Sequence, residues 1–86
     1  MAGRLMLGCG QVGREVAQSA AVPWLVIEGR SDRVELLREA GIDAEFGDPA
    51  DPAVIGSHGP APVVFVAGDR TAANLAAATA AREAFP

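Results

Sequence analysis

Four short apolar runs, each followed by a stretch with helical spacing or turn residues, recur along the 86 residues of this chain. The first run, Arg4-Leu5-Met6-Leu7, leads straight into Gly8-Cys9-Gly10-Gln11-Val12-Gly13. The second ends in an acidic residue, Glu28, twenty positions after Gly8. These three observations predict an α/β fold: a Rossmann-like three-layer parallel sheet, truncated to four strands in the order 3-2-1-4. Strand–helix–strand crossovers of this kind are right-handed, so the strands run parallel and helices cover both faces. At this length residues 1–86 read as one domain.

The elements follow in order. Strand one spans about residues 4 to 8. The next helix, roughly 11 to 20, places Val12, Val16, Ala17 and Ala20 on one core-facing stripe. Pro23 closes that connection, and strand two covers about 24 to 28. Ser31 is placed to cap the following helix, with Asp32 putting negative charge in its first turn. Val34, Leu37 and Ala40 form its buried stripe, and Gly41 is a suitable stop just past its end. Ile42, Ala44 and Phe46 alternate with Asp43 and Glu45, the pattern of a short, half-exposed edge strand.

The turn cluster Gly47-Asp48-Pro49-Ala50-Asp51-Pro52 leads to a short helix at about 52–57. Val63-Val64-Phe65-Val66-Ala67 is continuously apolar, as a parallel strand covered on both faces is. Asp69 is placed to cap the last helix, about 70 to 84. Its Ala-rich surface permits close approach to a neighbour, or simply reflects alanine's high helix propensity.

Each glycine of the first loop has a physical role. Gly8 allows the tight turn, Gly10 lets the backbone approach a pyrophosphate, and Gly13 lets the new helix pack close on the strand. The helix N-terminus then offers unpaired N–H groups to anionic oxygens. Such glycine spacing is a weak signal alone; the flanking strand, helix and acidic residue strengthen it. Glu28, at the tip of strand two, is placed to accept hydrogen bonds from the hydroxyls of an adenosine ribose. Its charge disfavours a 2′-phosphate and so favours NAD over NADP, while Arg30 and Arg33 just beyond it weaken that preference. The alternative is that Glu28 merely leaves the sheet for solvent. The ligand belongs over the carboxyl ends of strands one and four, where the strand order reverses.

Composition narrows the partners. Half of the residues are hydrophobic and mean hydropathy is +0.22, which argues for a packed globule. Net charge is −4 and all seven basic residues are Arg, so a nucleic-acid backbone is not an expected partner. The acidic, Lys-free, Ala-rich composition suggests a high-GC, salt-adapted and archaeal-like source. No apolar run approaches the roughly 18 residues of a membrane span, and the start is too abrupt for a signal peptide. A cytoplasmic protein is expected. The single Cys9 excludes an internal disulfide and a thiolate metal cluster, so no metal site is expected. At a helix N-terminus its thiol can ionise more readily, though a small filler in the loop is the simpler reading. His58 reads as a solvent-facing loop histidine.

Several segments, in order, resemble the TrkA-N, or RCK/KTN, nucleotide-binding domain. They are Leu7-Gly8-Cys9-Gly10-Gln11-Val12-Gly13-Arg14-Glu15-Val16-Ala17, Val26-Ile27-Glu28, Gly47-Asp48-Pro49-Ala50-Asp51-Pro52, Ala67-Gly68-Asp69 and Asn74-Leu75-Ala76-Ala77. That family regulates potassium channels and transporters by binding NAD(H) or adenine nucleotides. Similar domains precede DHH-type phosphoesterases in archaeal exopolyphosphatase-related proteins, and the wording here looks closest to those.

The resemblance implies site roles. Gly8, Gly10, Gln11 and Val12 would cradle the pyrophosphate through backbone N–H groups, with Cys9 and Gly13 completing the loop. Glu28 would hold the adenosine ribose, bordered by Gly29 and Arg30. Asp48, beside Gly47, would face the adenine edge; its other reading is an Asx-turn residue before Pro49. Ala67, Gly68 and Asp69, at the end of strand four, would approach the second phosphate or ribose. For Asn74 a packing or helix hydrogen bond is favoured over ligand contact.

Departures from the family pattern are Glu28 where an Asp is usual and Arg30 where a second acidic residue often stands. The chain also stops at Pro86, after the fourth strand–helix unit. Strand four would then be an open edge, prone to pair with another chain, and a homodimer through strand four and the last helix is expected.

The ligand implied is NAD(H), with AMP, ADP or ATP as alternatives and NADP less favoured. The function expected is ligand sensing for an attached or partner effector, without catalytic residues in this segment. Rival readings are the cofactor-binding half of a dehydrogenase and a fragment of an S-adenosylmethionine-dependent methyltransferase. Against the first stands the absence of Tyr and Lys; against the second, Leu5 and Met6 where an acidic residue usually precedes the loop.

Overall fold

A computed structural model describes residues 4–19, 23–59, 61 and 63–86. The strands are β1 (Arg4–Leu7), β2 (Leu25–Glu28), β3 (Asp43–Phe46) and β4 (Val63–Val66), and the helices α1 (Gln11–Ser19), α2 (Ser31–Glu39), α3 (Pro52–Gly56) and α4 (Thr71–Ala84). All pairings are parallel and the order is β3-β2-β1-β4, as the alternation and the glycine loop predict. Leu5 of β1 aligns with Leu25 on one side and Val64 on the other. The two inner strands are accordingly the buried ones: Leu5, Met6 and Leu7 of β1 and Val26 and Ile27 of β2 are almost wholly enclosed.

Two apolar cores flank the sheet. On one face Met6, Val26 and Ala44 meet Val34 and Leu37 of α2, with Val16 and Ala17 of α1 packed against them. On the other, Leu5, Leu7 and Ile27 meet Ile55 of α3 and Ala77 and Ala80 of α4. Because β-strand side chains alternate between faces, consecutive apolar residues in β1 and β2 feed both cores at once. At the amino ends of the strands Trp24 packs on Phe65, with ring centroids 6.0 Å apart, and the Arg4 guanidinium lies over the indole.

Several local expectations require correction. Val16 and Ala17 of α1 pack against the core as expected, but Val12 is 65% exposed and its place facing the sheet is taken by Gly13. Ala20 lies outside the described residues. Neither Ser31 nor Asp69 is an N-cap: those positions belong to Arg30 and Arg70, which make no side-chain cap bond. Asp51 does cap α3, its carboxylate accepting the Ala53 N–H at 2.9 Å, with Pro52 at the first helical position. Gly41 stops α2 at φ 81°, a conformation L residues with a Cβ avoid. Phe46 is exposed, because it ends an edge strand with a neighbour on one side only. β4 is an edge strand too and is partly exposed along its length, yet Phe65 packs against one core and Val64 and Val66 against the other, so both faces are covered as expected.

Candidate functional site

The carboxyl ends of β1, β2 and β4 surround a crevice of about 550 Å³ at the point where the strand order reverses. The loop after β1 forms one wall. Gly8 turns at φ 72°, and its N–H donates to the Ile27 carbonyl at 2.8 Å, tying the loop to β2. The Gly10 N–H donates to the Ala67 carbonyl at 2.8 Å, tying it to the end of β4. A Cβ on Gly8 would stand 3.2 Å from the Gly68 Cα, and one on Gly10 would stand 3.1 Å from the Asp69 Cβ. A side chain at Gly8 would be strained by the positive φ as well as crowded, and one at Gly10 would need Asp69 to shift by a few tenths of an ångström. Helical bonding begins only with Arg14 N–H to the Gly10 carbonyl, so Gln11, Val12 and Gly13 carry the first-turn N–H groups that a helix leaves for other acceptors.

Glu28 is buried, at 6% exposure. One carboxylate oxygen accepts the Cys9 N–H at 2.9 Å and the other the Arg30 N–H at 3.3 Å. A buried carboxylate needs such partners to offset the water it loses. It has about four acceptor directions, and two backbone bonds leave capacity for hydroxyl donors in the crevice that it lines. Glu28 thus does not leave the sheet for solvent.

Three arginines, Arg30, Arg33 and Arg70, are among the residues lining the crevice, with two acidic residues, Glu28 and Asp69. Its balance is positive in a chain of net charge −4. Arg30 is turned to Asp32, with nitrogen–oxygen distances of 3.3 and 2.9 Å. Arg33 crosses to Asp69 at 2.9 Å and reaches the Cys9 carbonyl at 3.4 Å. The Arg33 hydrogen bond, with the charge behind it, holds the Asp69 carboxyl below its ordinary range; the Arg30 hydrogen bond does the same for Asp32.

The crevice brings together Gly8, Glu28, Gly29, Arg30, Gly68 and Asp69 of the residues the sequence points to. Cys9, Gly10, Gln11, Val12 and Gly13 form the loop and first turn beside it, and Ala67 is buried beneath. Gly47 and Asp48 are not among its lining residues. Asp48 accepts the Ala50 N–H at 2.8 Å, the Asx-turn alternative, and its neighbour Pro49 lines the crevice.

The phosphate cradle is narrower than the resemblance implies, since the N–H groups of Gly8 and Gly10 are spent within the protein. Cys9 is buried, and desolvation together with the nearby Glu28 charge raises its thiol pKa, the opposite of helix-terminus activation. His58 is not solvent-facing: its Nε2 meets the Glu45 carboxylate at 3.0 Å.

Arg70, Ala73 and Asn74 also line the crevice, beyond the residues picked from sequence. Arg70 is the N-cap of α4, and Ala73 and Asn74 follow within its opening residues, so all three lie next to the end of β4. Asn74 donates to the Gly68 carbonyl at 2.7 Å, the local bond favoured for it.

A structure titled the NAD(P)-binding domain of an exopolyphosphatase-related protein from Archaeoglobus fulgidus is similar to this chain. The two superpose with a TM-score of 0.85 at 22% sequence identity, over 98% of this chain and 67% of the other. That likeness establishes the shared fold. No curated protein matches the chain. The family model of the TrkA-N domain matches residues 5–86, nearly the whole length. The chain belongs to the TrkA-N domain family.

Proposed function

We propose that this chain binds NAD(H) or a related adenine nucleotide and acts as a ligand-sensing module for an attached or partner effector. The observation that carries the reading is Glu28: a carboxylate at the tip of β2, held by the glycine loop and lining the same crevice as three arginines. A ribose offers hydroxyl donors to such a carboxylate, and a diphosphate suits the adjacent guanidinium groups and first-turn N–H groups of α1. The crevice, at about 550 Å³, lies within the roughly 300–1,000 Å³ of small-ligand sites. The NAD(P)-binding role given to the structural neighbour agrees with this ligand class.

Two features favour NAD over NADP. The Glu28 charge repels a 2′-phosphate, and Arg30, the nearest cation in sequence, is already paired with Asp32. Among the described residues no helix is long and apolar enough to cross a membrane. Signalling would pass to a partner through the β4 edge and α4, where Val63 and Leu75 are exposed. The same edge supports a homodimer. The effector classes fitting the resemblance are potassium transport proteins and DHH-type phosphoesterases.

Titration calorimetry against NAD, NADH, ADP and AMP tests the reading. Binding of at least one in the micromolar to millimolar range is expected. Binding of none at millimolar concentration refutes it, and a thermal shift with S-adenosylmethionine alone would replace it.

A further inference from the structure

Arg33 occupies an unusual position among the crevice cations. Its side chain leaves the first turn of α2, passes the glycine loop and ends at Asp69, 36 residues away in sequence. On the way it meets the Cys9 carbonyl, 24 residues away. One guanidinium therefore joins α2, the β1–α1 loop and the β4–α4 loop across the crevice mouth. Neither partner satisfies it well. The carbonyl contact is long at 3.4 Å, and Asp69 engages through a single oxygen while 54% exposed. Arg30, by contrast, holds Asp32 with two nitrogens and faces solvent.

A diphosphate offers a planar guanidinium two or more anionic oxygens, a better match than one solvent-exposed carboxylate oxygen. We propose that Arg33 is the diphosphate-binding cation of the crevice, and that Asp69 is an internal anion which Arg33 releases when the ligand arrives. The proposal rests on the nucleotide reading above. The exchange has a direction: an incoming phosphate both takes the guanidinium and repels the Asp69 carboxylate beside it. Ligand binding then cuts the one ion pair, among the described residues, that ties α2 to the β4–α4 loop. A ligand without phosphates leaves the tie in place. The bound and free states would thus differ at the edge strand and its helix, the part of the sheet open to a partner.

The experiment is calorimetry of the full chain, wild type, Arg33→Gln, Asp69→Ala and the double variant, against ADP, inorganic pyrophosphate and adenosine. Urea unfolding followed by Trp24 fluorescence verifies that each variant folds. Arg33→Gln should weaken ADP and pyrophosphate by about tenfold or more and change adenosine by less than about twofold. Asp69→Ala should tighten ADP by about twofold to fivefold, the scale of an exposed ion pair, and this gain should vanish in the double variant.

Equal losses for adenosine and ADP in Arg33→Gln, or unchanged ADP affinity, would overturn the proposal alone. So would weaker ADP binding in Asp69→Ala, the result if Asp69 itself holds a ribose hydroxyl. Failure of the wild type to bind any of the three removes the nucleotide reading and the proposal with it.

Discussion

Replacing Gly13 by Ala should destabilise the chain even though it puts a strong helix former inside a helix. The new Cβ would lie 2.8 Å from the Ala67 Cβ and 3.1 Å from the Met6 Sδ. Carbon atoms pack best at about 3.5–4.0 Å, so the first contact is short by most of an ångström. Ala67 cannot yield without moving the end of β4, whose N–H and C=O bond to Leu7 and Gly10. Met6 is fully enclosed. Overpacking of this kind costs roughly 1–3 kcal/mol, and the gain in helix propensity returns about 1 kcal/mol. The net loss is about 1 kcal/mol, or a fall in Tm of about 4–8 °C at this size.

Gly56→Ala supplies the control. It is helical, and its Cβ would meet only the Ala84 Cβ at 4.0 Å, so there the propensity gain should show as stabilisation. Urea unfolding read through Trp24, the one tryptophan and a buried one, measures both. If Gly13→Ala stabilises as Gly56→Ala does, the close approach of α1 to the sheet is wrong.

Glu28→Gln keeps the shape of the side chain but removes the charge that favours the Cys9 and Arg30 N–H groups. Stability should fall by roughly 1 kcal/mol, while NAD affinity should drop at least tenfold and the NADP/NAD affinity ratio should rise. An unchanged ratio by calorimetry would contradict the role given to the charge. Buried Cys9, its pKa raised first by desolvation, should react slowly with alkylating reagents at pH 8. The folded thiol holds its proton where the unfolded one releases it, so this contribution is intact below the ordinary thiol pKa and lost as pH rises through the folded value; rapid modification of the native chain would refute the burial. Arg33 and Arg30 lower the pKa of Asp69 and Asp32, chiefly through their hydrogen bonds. Both contributions are present above about pH 4, near the ordinary Asp value, and vanish as pH falls through the lower folded values. Urea midpoints should fall across that window, and less so in Asp69→Ala.

Most of the fold was legible because its signals are local. Alternating strand and helix patterns, with a glycine loop after the first strand, leave few topologies, and the order β3-β2-β1-β4 is the expected one. Glu28 was legible as a crevice residue by its distance from Gly8. Val12 was misread because apolar periodicity cannot see a glycine: the core-facing position is Gly13, empty so that Ala67 fits. The caps at Ser31 and Asp69 were misread because propensity does not say which residue begins a helix, and long-range bonds claim Asp69 instead. Arg33–Asp69 and His58–Glu45 join distant segments, so the sequence shows the charges but not their partners. The Gly8 and Gly10 N–H groups were over-assigned to phosphate for a similar reason, since their acceptors lie far off in sequence, Ile27 on β2 and Ala67 just past β4.

The central claim is tested most directly by a crystal structure of the chain grown with NAD. The account predicts the adenosine ribose hydroxyls within hydrogen-bonding distance of the Glu28 carboxylate and the diphosphate over the first turn of α1. Density for the nucleotide elsewhere on the surface, or a ribose in the crevice with Glu28 bonded only to Cys9 and Arg30, would contradict it.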